Sequence, residues 1–386
     1  MKRPASFTRR EFLHLAGAGL TTLVLPPSWR SVGGPSGYQS EKSLDVKIGQ
    51  MILAGFRGPT LNHTNPIDSD LRERYLGGVV LFDHDVATAT DGRNIRSPAQ
   101  LAALNQTLQA TTPVRPLLIS VDQEGGNVDR LKAKLGFPPS YSQKYLGERN
   151  NLALTHAYAR RTARTLWSAG INLNLAPVVD LNLNPDNPII GAYERSFSAD
   201  PDLVTAHAMQ MIRAHREVGV LTTLKHFPGH GSAGGDTHSG FVDVTGTWSE
   251  VELEPFRNII RAGLCDTVMT AHVFNATLDP NFPATLSTPT INGLLREELG
   301  WDGVVISDDM GMGAITQHFG FEEAIERAIR AGVDILAFAN NGPRFDPTIA
   351  TRAHQTIRRL VERGEINQSR IDRSYRRIVR LKARLA

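Results

Sequence analysis

Cysteine is almost missing from this chain: Cys265 is the only one among 386 residues. A disulfide within the chain is therefore excluded, and so is a metal site built on thiolates. Cys265 stands beside the apolar run "DTVMT", the setting of a buried structural thiol. A basic surplus is missing too once the first thirty residues are set aside. The formal net charge is +3, yet Lys2, Arg3, Arg9, Arg10 and Arg30 face only Glu11 in residues 1–30, a local excess of +4 that leaves about −1 for the rest. No basic stripe remains to track a phosphate backbone, so nucleic acid is not an expected partner. A dinucleotide-type glycine turn is also missing: "GFRGPTLN", after the first strand-like run, has no G-x-G-x-x-G spacing. The apolar run that ends at Leu25 is too short to span a bilayer as an ordinary helix.

That N-terminal run has a different character. "SFTRREFLHLAGAGLTTLVLPP" resembles a twin-arginine export signal, with Arg9 and Arg10 as the receptor-read pair and a mildly apolar segment rich in small residues behind them. The signal is expected over residues 1–30, followed by a Gly/Ser-rich linker over 31–44 and a catalytic domain over 45–386. The destination is periplasmic or extracellular, with membrane contact only through an uncleaved signal. Exchanging both arginines for lysine is expected to leave an active protein in the cytoplasm; normal export of that variant, read by cell fractionation, overturns the assignment.

From residue 45 onward one pattern recurs eight times. Short apolar runs stand at 50–56, 77–82, 116–122, 171–180, 221–227, 266–273, 303–309 and 334–340. Near-continuous apolar runs of this length suit parallel strands covered on both faces. Segments with helical spacing separate them, among them "SPAQLAALNQTLQA" and "EEAIERAIRAG", and Gly170, Gly219 and Gly332 stop helices just before the next strand. "INQSRIDRSYRRIVRLKARL" reads as a last amphipathic helix. Eight such units predict an α/β fold of the closed (β/α)8 type, a TIM-like barrel in a single domain, rather than an open doubly wound sheet.

Barrel chemistry sits at the C-terminal ends of the strands. Five runs end in polar groups: Asp122, Lys225 with His226, His272, Asp308 with Asp309, and Asn340. Such a concentration predicts one shared polar pocket. The fifth run opens into "KHFPGHGSAGGDTH" (225–238), which admits three readings. A metal would take His226, His230, Asp236 and His238, but Phe-Pro-Gly between the first two denies them a common helical face. A phosphate would use the glycines, yet no lysine or helix start follows them. Proton transfer would use Asp236 to orient and polarise His238, two residues on, with Asp308 as a candidate nucleophile across the pocket.

With these residues in place, the chain resembles glycoside hydrolase family 3, in particular its β-N-acetylhexosaminidase branch. The resemblance rests on "KHFPGHGSAGGDTH", "DQEGGNVDRL" (122–131), "APVVDLNLNPDNPIIG" (176–191), "ERSFSADP" (194–201) and "VISDDMGM" (305–312), in that family's order. It implies Asp308 as nucleophile and His238, paired with Asp236, as general acid and then base on a mobile loop. It implies Asp122, Arg130, Lys225, His226 and Arg195 as the grip on the sugar's hydroxyls. Asp309 is expected to set its neighbour, His230 to brace its turn, and His272 either to line the pocket or to satisfy a backbone group.

The resemblance further implies a retaining, exo-acting hydrolase that removes terminal β-linked N-acetylglucosamine from cell-wall or chitin-type oligosaccharides through a glycosyl-aspartate, without cofactor or metal, and as a monomer. A β-glucosidase, a glycoside phosphorylase, a metal-dependent hydrolase and a non-catalytic sugar binder are the alternatives. Two departures from the family pattern bear on substrate preference. Asn127 stands where arginine is common after "DQEGG", and Ala192, Tyr193 and Glu194 lengthen the path from "IIG" to Arg195.

Overall fold

A computed structural model describes residues 42–385. The expected export signal and most of the expected linker lie outside the described residues. Ser43 caps helix α1 (Leu44–Gln50), its Oγ accepting from the Val46 N–H at 3.4 Å.

The strands are β1 (Ile52–Gly55), β2 (Gly78–Val80), a small ribbon of β3 (His84–Asp85) and β4 (Thr90–Asp91), then β5 (Leu118–Val121) and β6 (Leu173–Asn174). They continue with β7 (Leu221–Phe227), β8 (Thr267–Thr270), β9 (Val304–Asp309) and β10 (Ile335–Phe338). Apart from the antiparallel ribbon, all pair in parallel and close in the order β1-β10-β9-β8-β7-β6-β5-β2. Each of the eight apolar runs therefore holds one barrel strand, and the doubly wound sheet is ruled out. Between the strands run α2 (Pro66–Glu73), α3 (Pro98–Thr111), α4 (Gln143–Arg149), α5 (Leu152–Ser168), α6 (Pro201–Arg216) and α7 (Glu254–Arg261). The outer layer is completed by a π-type helix at Pro289–Glu298, α8 (Gly313–Thr316), α9 (Phe321–Ala331), α10 (Ile349–Glu362) and α11 (Gln368–Lys382).

Local chemistry explains where the helices start and stop. Asn65, Ser97 and Asp200 each accept a hydrogen bond from the first turn of α2, α3 and α6, and each is followed by a proline that has no N–H to leave unsatisfied. Gly170 and Gly219 take φ of 78° and 79° beyond α5 and α6, a backbone conformation that side chains resist.

One strand is much shorter than its run. Of "INLNLAPVVD" only Leu173 and Asn174 pair as regular strand; past them Pro177 donates nothing, and the chain keeps to β7 through Thr223 N donating to Ala176 O (2.9 Å) and a Val178–Lys225 bridge. That path carries Asp180 round toward β7.

At the N-terminal end of the barrel, side chains replace missing backbone acceptors ahead of alternate strands. Asn172 accepts from Ile119 N (2.8 Å), Asp266 from Thr222 N (3.0 Å) and Asp334 from Val305 N (3.1 Å). Asp334 is fully buried and also pairs with Arg296 (2.8 Å), Arg370 and Arg377 (both 3.3 Å), the last two from α11. Losing one partner of a buried pair of this kind costs about 3–5 kcal/mol, so the cluster binds α11 to the barrel floor. With that end sealed, the opposite end is free to carry the polar site.

Candidate active site

The strand ends β5 and β7 meet in a chain of alternating charges. Lys225 Nζ lies 2.7 Å from both Asp122 Oδ1 and Glu124 Oε1. Arg195 grips Glu124 with two parallel bonds of 2.8 Å from Nε and Nη2, and its Nη2 donates onward to His226 Nε2 at 3.2 Å. Arginine can only donate, so Nε2 of His226 is the acceptor here and the proton of Nδ1 points to Asp180 Oδ2, 2.7 Å away. The other oxygen of Asp180 accepts from the backbone N–H groups of His226 (3.1 Å) and His230 (2.9 Å).

Burial dominates the energetics of these groups, and pairing reverses its effect. Burial alone would raise the Glu124 and Asp180 carboxyls; Arg195 and Lys225 for the first, and His226 for the second, hold both below the usual carboxylate range. Burial would likewise lower Lys225 and Arg195, yet Asp122 and Glu124 raise the lysine and Glu124 raises the arginine. Within the network the Asp122 side chain keeps 20% exposure, against 1% for Glu124, so Asp122 is the carboxylate a ligand can touch.

Alternation along β9 sends its two terminal aspartates in different directions. Asp309 Oδ1 accepts from Gly311 N (3.0 Å) and Ala339 N (2.9 Å), and the Asp309 N–H donates to Asp308 Oδ1 at 2.8 Å. Burial, with the charge of Asp308 adding to it, pushes the Asp309 carboxyl up to about 6. Burial would also raise Asp308, but the facing imidazoles, led by His272, and the Asp309 N–H bring it down to about 2. His272 donates from Nε2 to the Asp309 carbonyl (3.0 Å) and meets Thr285 Oγ1 through Nδ1 (2.8 Å), so it satisfies a backbone group while also facing Asp308.

The stretch quoted above now has a shape. Its second half folds back over the end of β9. Thr237 O and His238 O accept from Ala314 N and Gly313 N, both at 3.1 Å, and Ser239 O accepts from Gln317 Nε2 at 3.0 Å. Asp236 Oδ1 receives both His238 N (2.8 Å) and His238 Nδ1 (2.7 Å), leaving Nε2 as the outward nitrogen. The His238 imidazole lies near enough to Asp308 to help lower its pKa. The turn beneath is braced twice. The His230 ring reaches Thr237 Oγ1 at 3.3 Å, while Glu252 accepts from Ser232 Oγ (2.6 Å) and Gly231 N (3.0 Å).

Asp122, Lys225, His226 and Arg195 are thus joined in one network, with Asp308 and the Asp236–His238 pair beside it. Arg130 is not bonded into that network. It rests over the Phe82 ring (5.5 Å), with Nη1 3.9 Å from Asp83, itself 2.5 Å from Lys132 Nζ. Asn340, expected in the shared pocket, is a correction: its amide bonds the Asp346 backbone in both directions and shapes its own loop. Two members were not anticipated from sequence, Glu124 in "DQEGG" and Asp180 in "APVVD", although both lie in motifs quoted above. The two departures from the family pattern touch one another, Asn127 Nδ2 donating to Tyr193 O at 3.3 Å. Among the described residues, no group of three or more His, Cys, Asp or Glu side chains is placed to hold a metal ion.

Comparison with known proteins agrees with this geometry. The family model "Glycosyl hydrolase family 3 N terminal domain" matches residues 43–381. The β-hexosaminidase LpqI of Mycobacterium tuberculosis is 33% identical over 379 residues, covering 95% of this chain and 90% of that protein. A family 3 β-N-acetylglucosaminidase structure from Paenibacillus superposes with a TM-score of 0.81 at 37% identity, over 89% of this chain and 63% of that one. The chain therefore spans somewhat less than two thirds of the Paenibacillus enzyme. A β-N-acetylhexosaminidase structure from Beutenbergia cavernae gives a TM-score of 0.79 at 30% identity, covering 89% of this chain and 99% of that one. From the barrel, the ordered motifs and these relatives together, the chain belongs to glycosyl hydrolase family 3, in its β-N-acetylhexosaminidase branch.

Proposed function

We propose that the protein is a retaining, exo-acting β-N-acetylglucosaminidase, with Asp308 as nucleophile and His238 as acid and base. The observation that carries this reading is the bonding of the Asp236–His238 loop to α8, which starts five residues after Asp308. It brings an ionised carboxylate and an oriented imidazole to one pocket mouth, next to a fixed polar floor.

In the first step an Asp308 oxygen bonds to the anomeric carbon, the bond from that carbon to the leaving oxygen breaks, and His238 Nε2 gives its proton to that oxygen. Asp236 holds Nδ1–H throughout, so Nε2 is the nitrogen that exchanges the proton. In the second step the same Nε2 takes a proton from water, the water oxygen bonds to the anomeric carbon, and Asp308 leaves. Asp122, with an oxygen open to solvent, and Arg130 at the rim receive sugar hydroxyls. Lys225, His226 and Arg195 hold that edge in place and close the pocket behind the terminal sugar, which accounts for exo action. The carboxylate-separation rule for glycosidases does not apply, since the acid is an imidazole.

The choice of N-acetylglucosamine is supported by the Paenibacillus relative, which is named a β-N-acetylglucosaminidase, and the hexosamine class by the Mycobacterium relative, named a β-hexosaminidase. Export through residues 1–30 would place the activity on cell-wall or chitin-derived fragments. The deciding assay is nitrophenol release from β-GlcNAc and β-glucose aryl glycosides, with and without chelator and phosphate. The GlcNAc glycoside is expected to be cleaved preferentially and equally well in chelator, giving the free sugar. Preference for the glucoside, loss of activity restored by one metal ion, or a sugar phosphate as product would each replace the reading with a named alternative.

A further inference from the structure

His238 is 61% exposed, and the surface next to it is aromatic. Three residues on, Phe241 leaves 48% of itself in solvent. Its ring lies 5.1 Å from Phe274, tilted by 40°, and 5.5 Å from the exposed His318, tilted by 64°. The three side chains come from the loops after β7, β8 and β9, the quadrant of the barrel mouth that holds His238 and Asp308. Their backbones are fixed. Phe274 N donates to Val242 O and Val244 N to Phe274 O, both at 2.8 Å, and Gln317 bonds Ser239 O. A large aromatic ring held rigidly in water beside a catalytic loop gains nothing for folding from its exposed face.

We propose that Phe241, backed by Phe274 and His318, is the platform on which the departing sugar of the substrate stacks. The inference rests on the activity proposed above. A general acid must lie within about 3 Å of the oxygen it protonates. The departing ring therefore begins at His238 and extends outward from the buried floor, and the half-exposed aromatic on the same loop, three residues on from His238, is Phe241. A β-linked N-acetylglucosamine unit is neutral and has an apolar C–H face and an acetyl methyl. A flat, rigid ring takes up such a face with little loss of side-chain freedom. The occupant is thus a second sugar of the same oligosaccharide, bound on the leaving-group side.

Steady-state kinetics on two substrates tests this. The disaccharide of β-1,4-linked N-acetylglucosamine has a departing sugar; the β-glycosyl fluoride of the same sugar has none and needs no proton donor. Phe241→Ala is expected to raise KM for the disaccharide roughly tenfold and to leave kcat/KM for the fluoride within about twofold, as the loss of one aromatic contact would. Phe241→Tyr is expected to restore disaccharide binding. If Phe241→Ala slows the fluoride by the same factor as the disaccharide, the ring is only a fastener for the loop and the platform is wrong. Unchanged kinetics on both substrates overturn it as well. Wild-type protein that cleaves the fluoride but not the disaccharide overturns the platform alone, whereas wild-type protein that cleaves neither overturns the proposed activity with it.

Discussion

Asp308→Ala is expected to lower turnover on any β-GlcNAc glycoside by at least about 10³-fold with the barrel still folded, the scale seen when a nucleophile that forms a covalent intermediate is removed. Among the described residues its carboxylate accepts only one hydrogen bond, from the next residue's N–H, so truncation leaves little unsatisfied. Asp309 is the informative contrast. It accepts from Gly311 N and Ala339 N and so joins the end of β9 to β10. Asp309→Ala strands both N–H groups, at about 1–3 kcal/mol for each that stays buried, and its loss is expected in thermal unfolding more than in chemistry. Trapping the glycosyl-enzyme with a slow substrate and mapping the labelled residue decides between them. A label on Asp309, or an Asp308→Ala protein that still accumulates the intermediate, would falsify the assignment.

His238→Ala is expected to split its effect by leaving group. A sugar hydroxyl departs poorly without a proton, so cleavage of a disaccharide falls by about 10²–10⁴-fold at the first step, the usual worth of general acid–base help. Dinitrophenolate departs unaided, so the same variant forms the glycosyl-enzyme from that substrate at a near-normal rate and then stalls for want of a base. Rapid mixing shows a burst followed by slow turnover. Asp236→Ala shows a weaker form of both effects, because it removes the partner that keeps the proton of Nδ1 in place. An equal slowing of both substrates in the first step would mean that His238 is not the acid.

How much of this was readable in the sequence depends on distance along the chain. The eight strands were readable because burial on two faces writes itself into consecutive residues. The Asp236–His238 pair was readable because both members lie in one loop. Glu124 was not, since its partners Arg195 and Lys225 lie 71 and 101 positions away and "DQEGG" says nothing of what closes over it. Asp180 was missed for a related reason: regular pairing in its run ends at Asn174, and only the fold shows that the remainder ends beneath His226. Asn340 misled in the other direction. It ends a strand like the site residues, but its φ of 51° and its bonds to Asp346 make it a turn residue. The loop's attachment to α8 had no local signature, because apart from the Gln317 amide it uses backbone groups that every residue has.

The arrangement of α1 and α11 bears on how the molecule faces its surroundings. Helix α1 feeds into the start of β1, and Lys382 near the end of α11 bonds Gln50 Oε1 (2.6 Å) and Gly77 O (2.8 Å), just ahead of β1 and β2. Arg384 pairs with Asp266, ahead of β8. The end of α11 is therefore held at the floor, and the sugar pocket opens from the roof. An attachment made through α11, whether to a resin, a fusion partner or a surface, presents the pocket outward and leaves the approach of a polymeric glycan clear. Protein immobilised through α11 should reach its substrate as freely as dissolved protein does.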